Sequence, residues 1–360
     1  MKRHTGLGSI AAIGCAILFA LVAGCSKPSD SSTSSTNSGA TTNPSGIRLI
    51  RIGMVAKSES NDVFQAAHSG AVDEAKNLSI ANHVDIEILW RTPPDEDASA
   101  QADAIRELAD EKVDGITVSC SEAARLTTAI NDAVDKGVPV VCFDSDAPDS
   151  KRFADYGTDD MQCGQVIVRE LAKYMNEQGT IAILAGHEGS PNLTLRIKGA
   201  EDELAKHPNM KLLDNGVFYN EEVPEKAAET VTQAMLSNQG KIDGWAMIGG
   251  WPLFTDHALD SVPSNVKVVS CDALPKQLAY LRSGQVQALV AQDCYGWGTQ
   301  TVDLLVNKIL NNQLPDNPKI PNPLTIVTVA KPDPNIPPEP NVRRMALDDF
   351  AGYWDQWLKK

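Results

Sequence analysis

Positive charge is in short supply in this 360-residue chain: 32 lysines and arginines face 47 aspartates and glutamates, a formal net charge of −15. A nucleic-acid partner needs a basic face to neutralise phosphates, so that class of function is excluded. Catalytic signatures are missing too. "HEGSP" at 187–191 lacks the second histidine of a zinc helix, no G-x-S-x-G elbow occurs, and "GWGTQT" at 296–301 lacks the third glycine of a dinucleotide turn. Asp159-Asp160 and Asp144/Asp146 could form acid pairs, but no nucleophile–base constellation accompanies them, and adjacent acids in turns are usually caps. The seven cysteines include no C-x-x-C spacing, which removes the usual sequence support for a metal site. No enzymatic activity, cofactor or metal is therefore expected. The apolar run Ile10–Val22 is too short for an ordinary transmembrane span.

That run has a different use. Lys2 and Arg3 precede it and "LVAGC" closes it, the shape of an export signal. "LVAGC" resembles the bacterial lipobox, which implies removal of residues 1–24 and lipidation of Cys25. Each buried methylene of a lipid chain adds roughly 0.8 kcal/mol of membrane affinity, so several chains tether without a spanning helix. Residues 26–46 are nearly all Ser, Thr, Asn, Gly and Pro and read, with Cys25, as a flexible leash. Without the leader, 30 basic residues face 47 acidic ones, a balance of −17. Residues 47–360 are long enough for two domains. Cys120, Cys142, Cys163, Cys271 and Cys294 remain. An odd number leaves at least one free thiol unless pairing is intermolecular. Several lie in strand-like runs, where cysteine is usually a small buried hydrophobe; no pair is assigned.

The folded part alternates apolar and amphipathic runs. "LIRIGMV" (49–55) precedes a helix over about 63–77, "VDIEILW" one around 101–111, and "VDGITVS" one over about 122–136 that ends at Gly137 before "VPVVCFD". After Tyr156-Gly157-Thr158 the pattern restarts. Helices over about 164–178, 195–206, 224–238 and 275–284 alternate with "TIAILAG", "MKLLDNGVFY", "IDGWAMIGG", "VKVVSCD" and "VQALVAQ". This is the signature of parallel sheets covered on both faces. The halves also match: "VDGITVS" stands before "VPVVCFD" as "IDGWAMI" stands before "VKVVSCD", with 29 residues from Gly115 to Asp144 and 28 from Gly244 to Asp272. One aspartate at a strand end is ordinarily a cap. Two at equivalent strand ends point into a cleft, because ligands of open α/β sheets bind beyond the carboxyl ends of the strands.

These residues resemble the type 1 periplasmic binding proteins of ABC importers, in the ribose-binding and autoinducer-2-binding branch, over about 50–330. The resemblance implies an α/β fold of two doubly wound parallel-sheet lobes joined by three hinge crossovers, with the ligand cleft between them. It implies lobes over 47–156 with 293–312 returning, and over 157–292 with about 324–330. Hinges fall near 156–158 and 292–295, with a third crossover around 313–326. Within "IGMVAKSESNDVFQAAHSGA", Asn61 falls at a sugar-binding amide and Phe64 at an aromatic wall. Lys57 stands where ribose binders have a small hydroxyl residue and autoinducer-2 binders a lysine. "FDSD" places Asp144, followed by Ser145 where ribose binders have arginine. "LRIKGAEDEL" places Arg196 at the ligand arginine, "VVSCD" places Asp272, and "LVAQD" places Gln292. "MIGGWP" departs from the ribose pattern: Gly249, Gly250 and Trp251 replace a ligand asparagine, which counts against plain ribose.

Such residue types suit a sugar. Carboxylates accept from hydroxyls, arginine donates in a fork, and amides do both. Phe64, Trp90 and Trp251 lie at or beyond strand ends, where a ring would cover a sugar's C–H face, although each such aromatic alone is more often core packing. The function expected is a monomeric, lipid-anchored receptor of the periplasm or cell envelope that passes a sugar-like small molecule to an ABC permease. A ligand-sensing receptor using the same closure is the alternative. Beyond the lobes, residues 331–360 hold an extended Pro-rich strap, "KPDPNIPPEP", and "FAGYWDQWL", expected as a helix docked on a lobe.

Overall fold

The computed structural model describes residues 41–358. The leader, the lipidation site at Cys25 and most of the leash lie outside the described residues. Among the described residues, no helix is long and apolar enough to cross a membrane.

The first half runs β1 (Leu49–Val55), α1 (Asp62–Asn82), β2 (Asp85–Trp90), α2 (Ala98–Asp110), β3 (Gly115–Val118), α3 (Ala123–Asp135), β4 (Val140–Phe143) and β5 (Ala154–Thr158). The second runs α4 (Asp160–Tyr174), β6 (Gly179–Leu184), α5 (Pro191–Leu204), β7 (Met210–Phe218), α6 (Pro224–Ser237), β8 (Gly244–Met247), a 3-10 turn (Trp251–Phe254), β9 (Lys267–Cys271), α7 (Pro275–Ser283) and β10 (Ala288–Ala291). The chain then returns through α8 (Cys294–Asn311) to β11 (Lys319–Asn322), β12 (Leu324–Thr328), β13 (Val342–Ala346) and α9 (Leu347–Leu358).

Two sheets result, ordered β11-β5-β4-β3-β1-β2 and β13-β12-β10-β9-β8-β6-β7. Every pairing is parallel except β10 with β12. This is the expected α/β class with two lobes. The short central strands β3, β4, β8 and β10 are buried at every residue, as helices on both faces require. Helix starts follow local chemistry: Asn61, Asp97, Asp159 and Asp293 each accept a backbone N–H at the head of α1, α2, α4 and α8.

The chain passes between sheets three times, at 158–160, 291–294 and 322–324. Three details depart from the sequence reading. The boundary expected between 156 and 157 falls inside β5, which belongs wholly to the first sheet. That sheet also takes β11, an edge strand that tolerates Pro321 because one side of it is unpaired. Residues 41–46, expected in the leash, fold back instead: Leu49 N–H donates to Thr41 O (2.8 Å), and Asn43 Oδ1 accepts from Ser45 and Ile47 N–H (2.9 Å each). Asn43 and Gly46 (φ 79°) supply the turn.

The tail docks on the second lobe through α9, where Leu347 and Phe350 are buried. It also adds an unexpected strand: β13 extends the sheet beside β12. Arg344 is held there by Glu170 of α4 (2.6 Å), and Glu339 grips Arg169 with both oxygens (2.8 Å each).

Candidate functional site

Asp144 follows β4 and Asp272 follows β9, the fourth strand of each lobe in chain order. Both adopt the left-handed conformation, φ 57° and 63°, which aspartate tolerates better than most residues. Each uses its own N–H to bond the next strand, Asp144 to Tyr156 O (3.2 Å) and Asp272 to Val290 O (2.9 Å). The matched sequence frames are thus matched backbone geometry. Both carboxylates are buried and meet side chains: Ser119 Oγ donates to Asp144 Oδ2 (2.8 Å), and Gln292 Nε2 donates to Asp272 Oδ1 (2.7 Å). Burial pushes the Asp272 carboxyl up and the Asp144 charge adds to it, while Arg196, Gln292 and a backbone bond from Gly250 oppose the shift.

Arg196 joins the hinge to the second lobe. It is 2 % exposed. Its Nε donates to Asp160 Oδ1 (2.8 Å), Nη1 to Ile248 O (3.1 Å) and Nη2 to Gln292 Oε1 (2.7 Å). Thr158 Oγ1 donates to the same Gln292 oxygen (2.8 Å). Thr158 and Asp160 border the first crossover and Gln292 lies in the second, so one buried network ties both to α5. Close helix packing places it: a Cβ at Gly164 of α4 would lie 2.0 Å from Arg196 O, so only glycine lets α5 approach. Burial raises the Asp160 carboxyl to about 6, against the pull of Arg196.

Lys57, just beyond β1, is 2 % exposed. Its Nζ donates across the lobes to Asn192 Oδ1 on α5 (3.3 Å). Its pKa is lowered by burial but raised overall, through Glu96 and Asp144 of its own lobe and Glu222 of the other. Burial raises Glu96 to about 7, opposed by Lys57 and assisted by Glu222.

The aromatics divide. Trp251 is buried, with its ring across the ends of β6 and β8: a Cβ at Gly249 would lie 2.2 Å from its Cη2, and one at Gly186 2.7 Å. Glycine at 249 therefore makes room for the indole. Phe64 meets Phe143 edge-on (6.4 Å) and Trp297 at a tilt (6.2 Å). Trp90 does not join this group. Its ring stacks on His68 of α1 (4.5 Å) and its indole N–H donates to Glu59 (2.7 Å), because the last residue of edge strand β2 lies beside α1. Asn61 is engaged as the α1 cap, its Oδ1 accepting from Val63 N–H (3.2 Å). Ser145 is buried, its carbonyl accepting from Cys120 N–H (2.9 Å).

The structure thus gathers Lys57, Asp144, Arg196, Asp272 and Gln292 about the strand ends. It adds Ser119, Asn192, Thr158 and Asp160, none of which the sequence reading selected. Asp160 is not the turn acid that its sequence position suggests; its neighbour Asp159 is the cap, accepting from Gln162 N–H (3.0 Å). Asn192 stands four residues before Arg196, hence on the same helical face, a spacing visible in the sequence. The five cysteines of the folded part are buried free thiols; Cys163 and Cys271 lie 3.8 Å apart at Sγ. Among the described residues, no group of three His, Cys, Asp or Glu is placed to hold a metal.

A comparison with protein families matches the periplasmic binding protein domain over residues 52–313. The xylitol-binding protein of Mycolicibacterium smegmatis is 29 % identical over 128 residues, 36 % of each chain, so the match spans about a third of that relative. The D-allose-binding periplasmic protein of Escherichia coli is 24 % identical over 267 residues, 71 % of this chain and 83 % of that one. Among solved structures, a solute-binding protein from Burkholderia graminis in complex with D-arabinose superposes with a TM-score of 0.70 at 25 % identity, covering 78 % of this chain and 95 % of its own. All three are named as binding proteins and none as an enzyme. Strand-end carboxylates in two like lobes, together with a family match over most of the folded chain, place this protein in the periplasmic binding protein family.

Proposed function

We propose that this protein is a lipid-anchored receptor of the cell envelope that captures a sugar or sugar-like molecule by lobe closure and delivers it to an ABC permease. The observation that carries the reading is the division of one polar site between two lobes. Lys57, Ser119 and Asp144 come from the first lobe; Asn192, Arg196 and Asp272 come from the second, with Gln292 at the hinge. A ligand that touches both sets is fully bonded only when the lobes meet, so binding shifts the population towards closure. Asp144 and Asp272 accept ligand hydroxyls, Arg196 and Gln292 donate, and Trp251 with Phe64 offers an apolar face. The names of the relatives, for xylitol, D-allose and D-arabinose, support a polyhydroxyl ligand. Cys25 supplies the anchor, and the receptor acts as a monomer.

A thermal-shift screen of the protein without its leader, against pentoses, hexoses, deoxysugars, polyols and autoinducer-2, tests this. A ligand at 100 times Kd adds about 2.7 kcal/mol of stability. No shift with any of these compounds at millimolar concentration sinks the proposal.

A further inference from the structure

Beyond Lys57, a chamber of about 520 Å3 opens between the lobes. The first lobe lines it with Glu96, Ala98, Ser121 and Arg125, the second with His187 and Ser190. None of Asp144, Arg196, Asp272 or Gln292 lines it. The volume lies within the roughly 300–1,000 Å3 of small-molecule sites, so a few waters are not its natural measure.

Two polar atoms at its wall have no partner. Ser190 stands at the N-cap of α5, where a serine hydroxyl ordinarily accepts from the first turn. Here it makes no such bond, and its Oγ is unpartnered although the residue is only 3 % exposed. Glu96 Oε1, from the other lobe, is likewise buried and unpartnered. Buried polar atoms are nearly always hydrogen-bonded in native proteins, and this pair, a carboxyl and a hydroxyl, suits a group that can both donate and accept. An alcohol does both. An anionic group is disfavoured, because Asp97, Glu122 and Glu188 also line the chamber, against Arg125.

We propose that this chamber is a second subsite for a hydroxylated unit joined to the sugar held at Asp144 and Asp272, so that the preferred ligand is a disaccharide or glycoside. The inference rests on the sugar-receptor reading and deepens it. The unpaired atoms come from opposite lobes, so a second unit bonded to both would add to the drive for closure.

Calorimetry with D-xylose, D-glucose and D-allose, and with xylobiose, cellobiose and maltose, tests it. At least one disaccharide is expected to bind tenfold or more tightly than its own monosaccharide. Ala98→Trp, which fills the chamber from the half-buried first residue of α2, removes that advantage and leaves monosaccharide affinity unchanged. Ser190→Ala lowers disaccharide affinity several-fold. Monosaccharide binding with no disaccharide advantage overturns the subsite and leaves the receptor reading standing, as does an advantage that survives Ala98→Trp. Failure of every sugar to bind overturns both.

Discussion

Arg196→Met isolates the buried network that ties the hinge to the second lobe. The guanidinium faces Asp160 at 2.8 Å with both groups buried. Even with that partner, burial holds the Asp160 carboxyl at about 6, against an ordinary 3.8. A raised acid binds its proton in the native state at pH values where the unfolded chain has released it. Stability therefore falls as pH rises from about 4 to about 6, by roughly 3 kcal/mol at 1.36 kcal/mol per unit. Removing Arg196 takes away the main stabilising charge, pushes the carboxyl higher still and extends this loss past neutrality. Breaking one half of a buried pair costs about 3–5 kcal/mol when the other half stays charged.

At pH 5 Asp160 is largely protonated in both proteins, so Arg196→Met there loses mainly the hydrogen bonds to Ile248 and Gln292, about 1–3 kcal/mol. At pH 8 it loses the ion pair as well. The difference between the two losses should be at least about 1.4 kcal/mol, one unit of further shift. Urea unfolding followed by circular dichroism at both pH values measures it. The double variant Arg196→Met/Asp160→Asn should be more stable than the single one at pH 8 and depend less on pH; the dependence left relative to Asp160→Asn belongs to Asp272, whose carboxyl Arg196 also holds down. A single-variant loss that is the same at pH 5 and pH 8 refutes the reasoning.

Asp144→Ala and Asp272→Ala should each weaken ligand binding at least tenfold, about 1.4 kcal/mol, by calorimetry with the ligand found in the thermal screen; normal binding by either refutes the shared-cleft assignment. Asp155, raised to about 8 by burial and then by Asp146, with Asp160 adding and Arg152 and Lys319 opposing, costs stability progressively as pH rises from about 4 to 8. Asp155→Asn should therefore gain on the wild type across that window in urea midpoints, and parallel curves refute it. Ribose should bind weakly or not at all by calorimetry, and Trp251→Ala should impair the true ligand; sub-micromolar ribose binding insensitive to Trp251 overturns this. Intact mass of membrane-extracted protein should show lipidated Cys25 at the N-terminus, and a wild-type product cut elsewhere refutes it.

The lobes were legible because their strands are short, apolar and buried on both sides, and because a helix and a strand recur at nearly the same spacing before Asp144 and Asp272. Long-range pairing was harder to read. β13 carries adjacent arginines, and what holds it is Arg344 meeting Glu170, a partner 174 residues away. The turn at 41–46 has a leash's composition, yet Asn43 and Gly46 close it against β1. Within the site, strand-end carboxylates announced themselves, but Ser119 and Asp160 acquire meaning only beside Asp144 and Arg196. Trp90 shows the converse: an aromatic at a strand end was visible, whereas its stacking on His68 depends on where α1 lies.

The two aspartates do more than mark equivalent places. Each sits in the left-handed region, with its N–H committed to the next strand and its carboxylate held by a side chain from a neighbouring strand end. The fold itself therefore fixes both carboxylates, and a ligand that used them, as proposed, would meet a lower ordering cost. Their electrostatic cost is also built into the fold, since the charge of Asp144 raises the Asp272 carboxyl across the lobes. Lys57 and Arg196 offset part of that repulsion. Under the proposed function, a ligand hydroxyl placed between the two carboxylates would offset more, by donating to one of them. Closure with ligand would then be more favourable than closure without it, and that difference is what the proposed receptor would report.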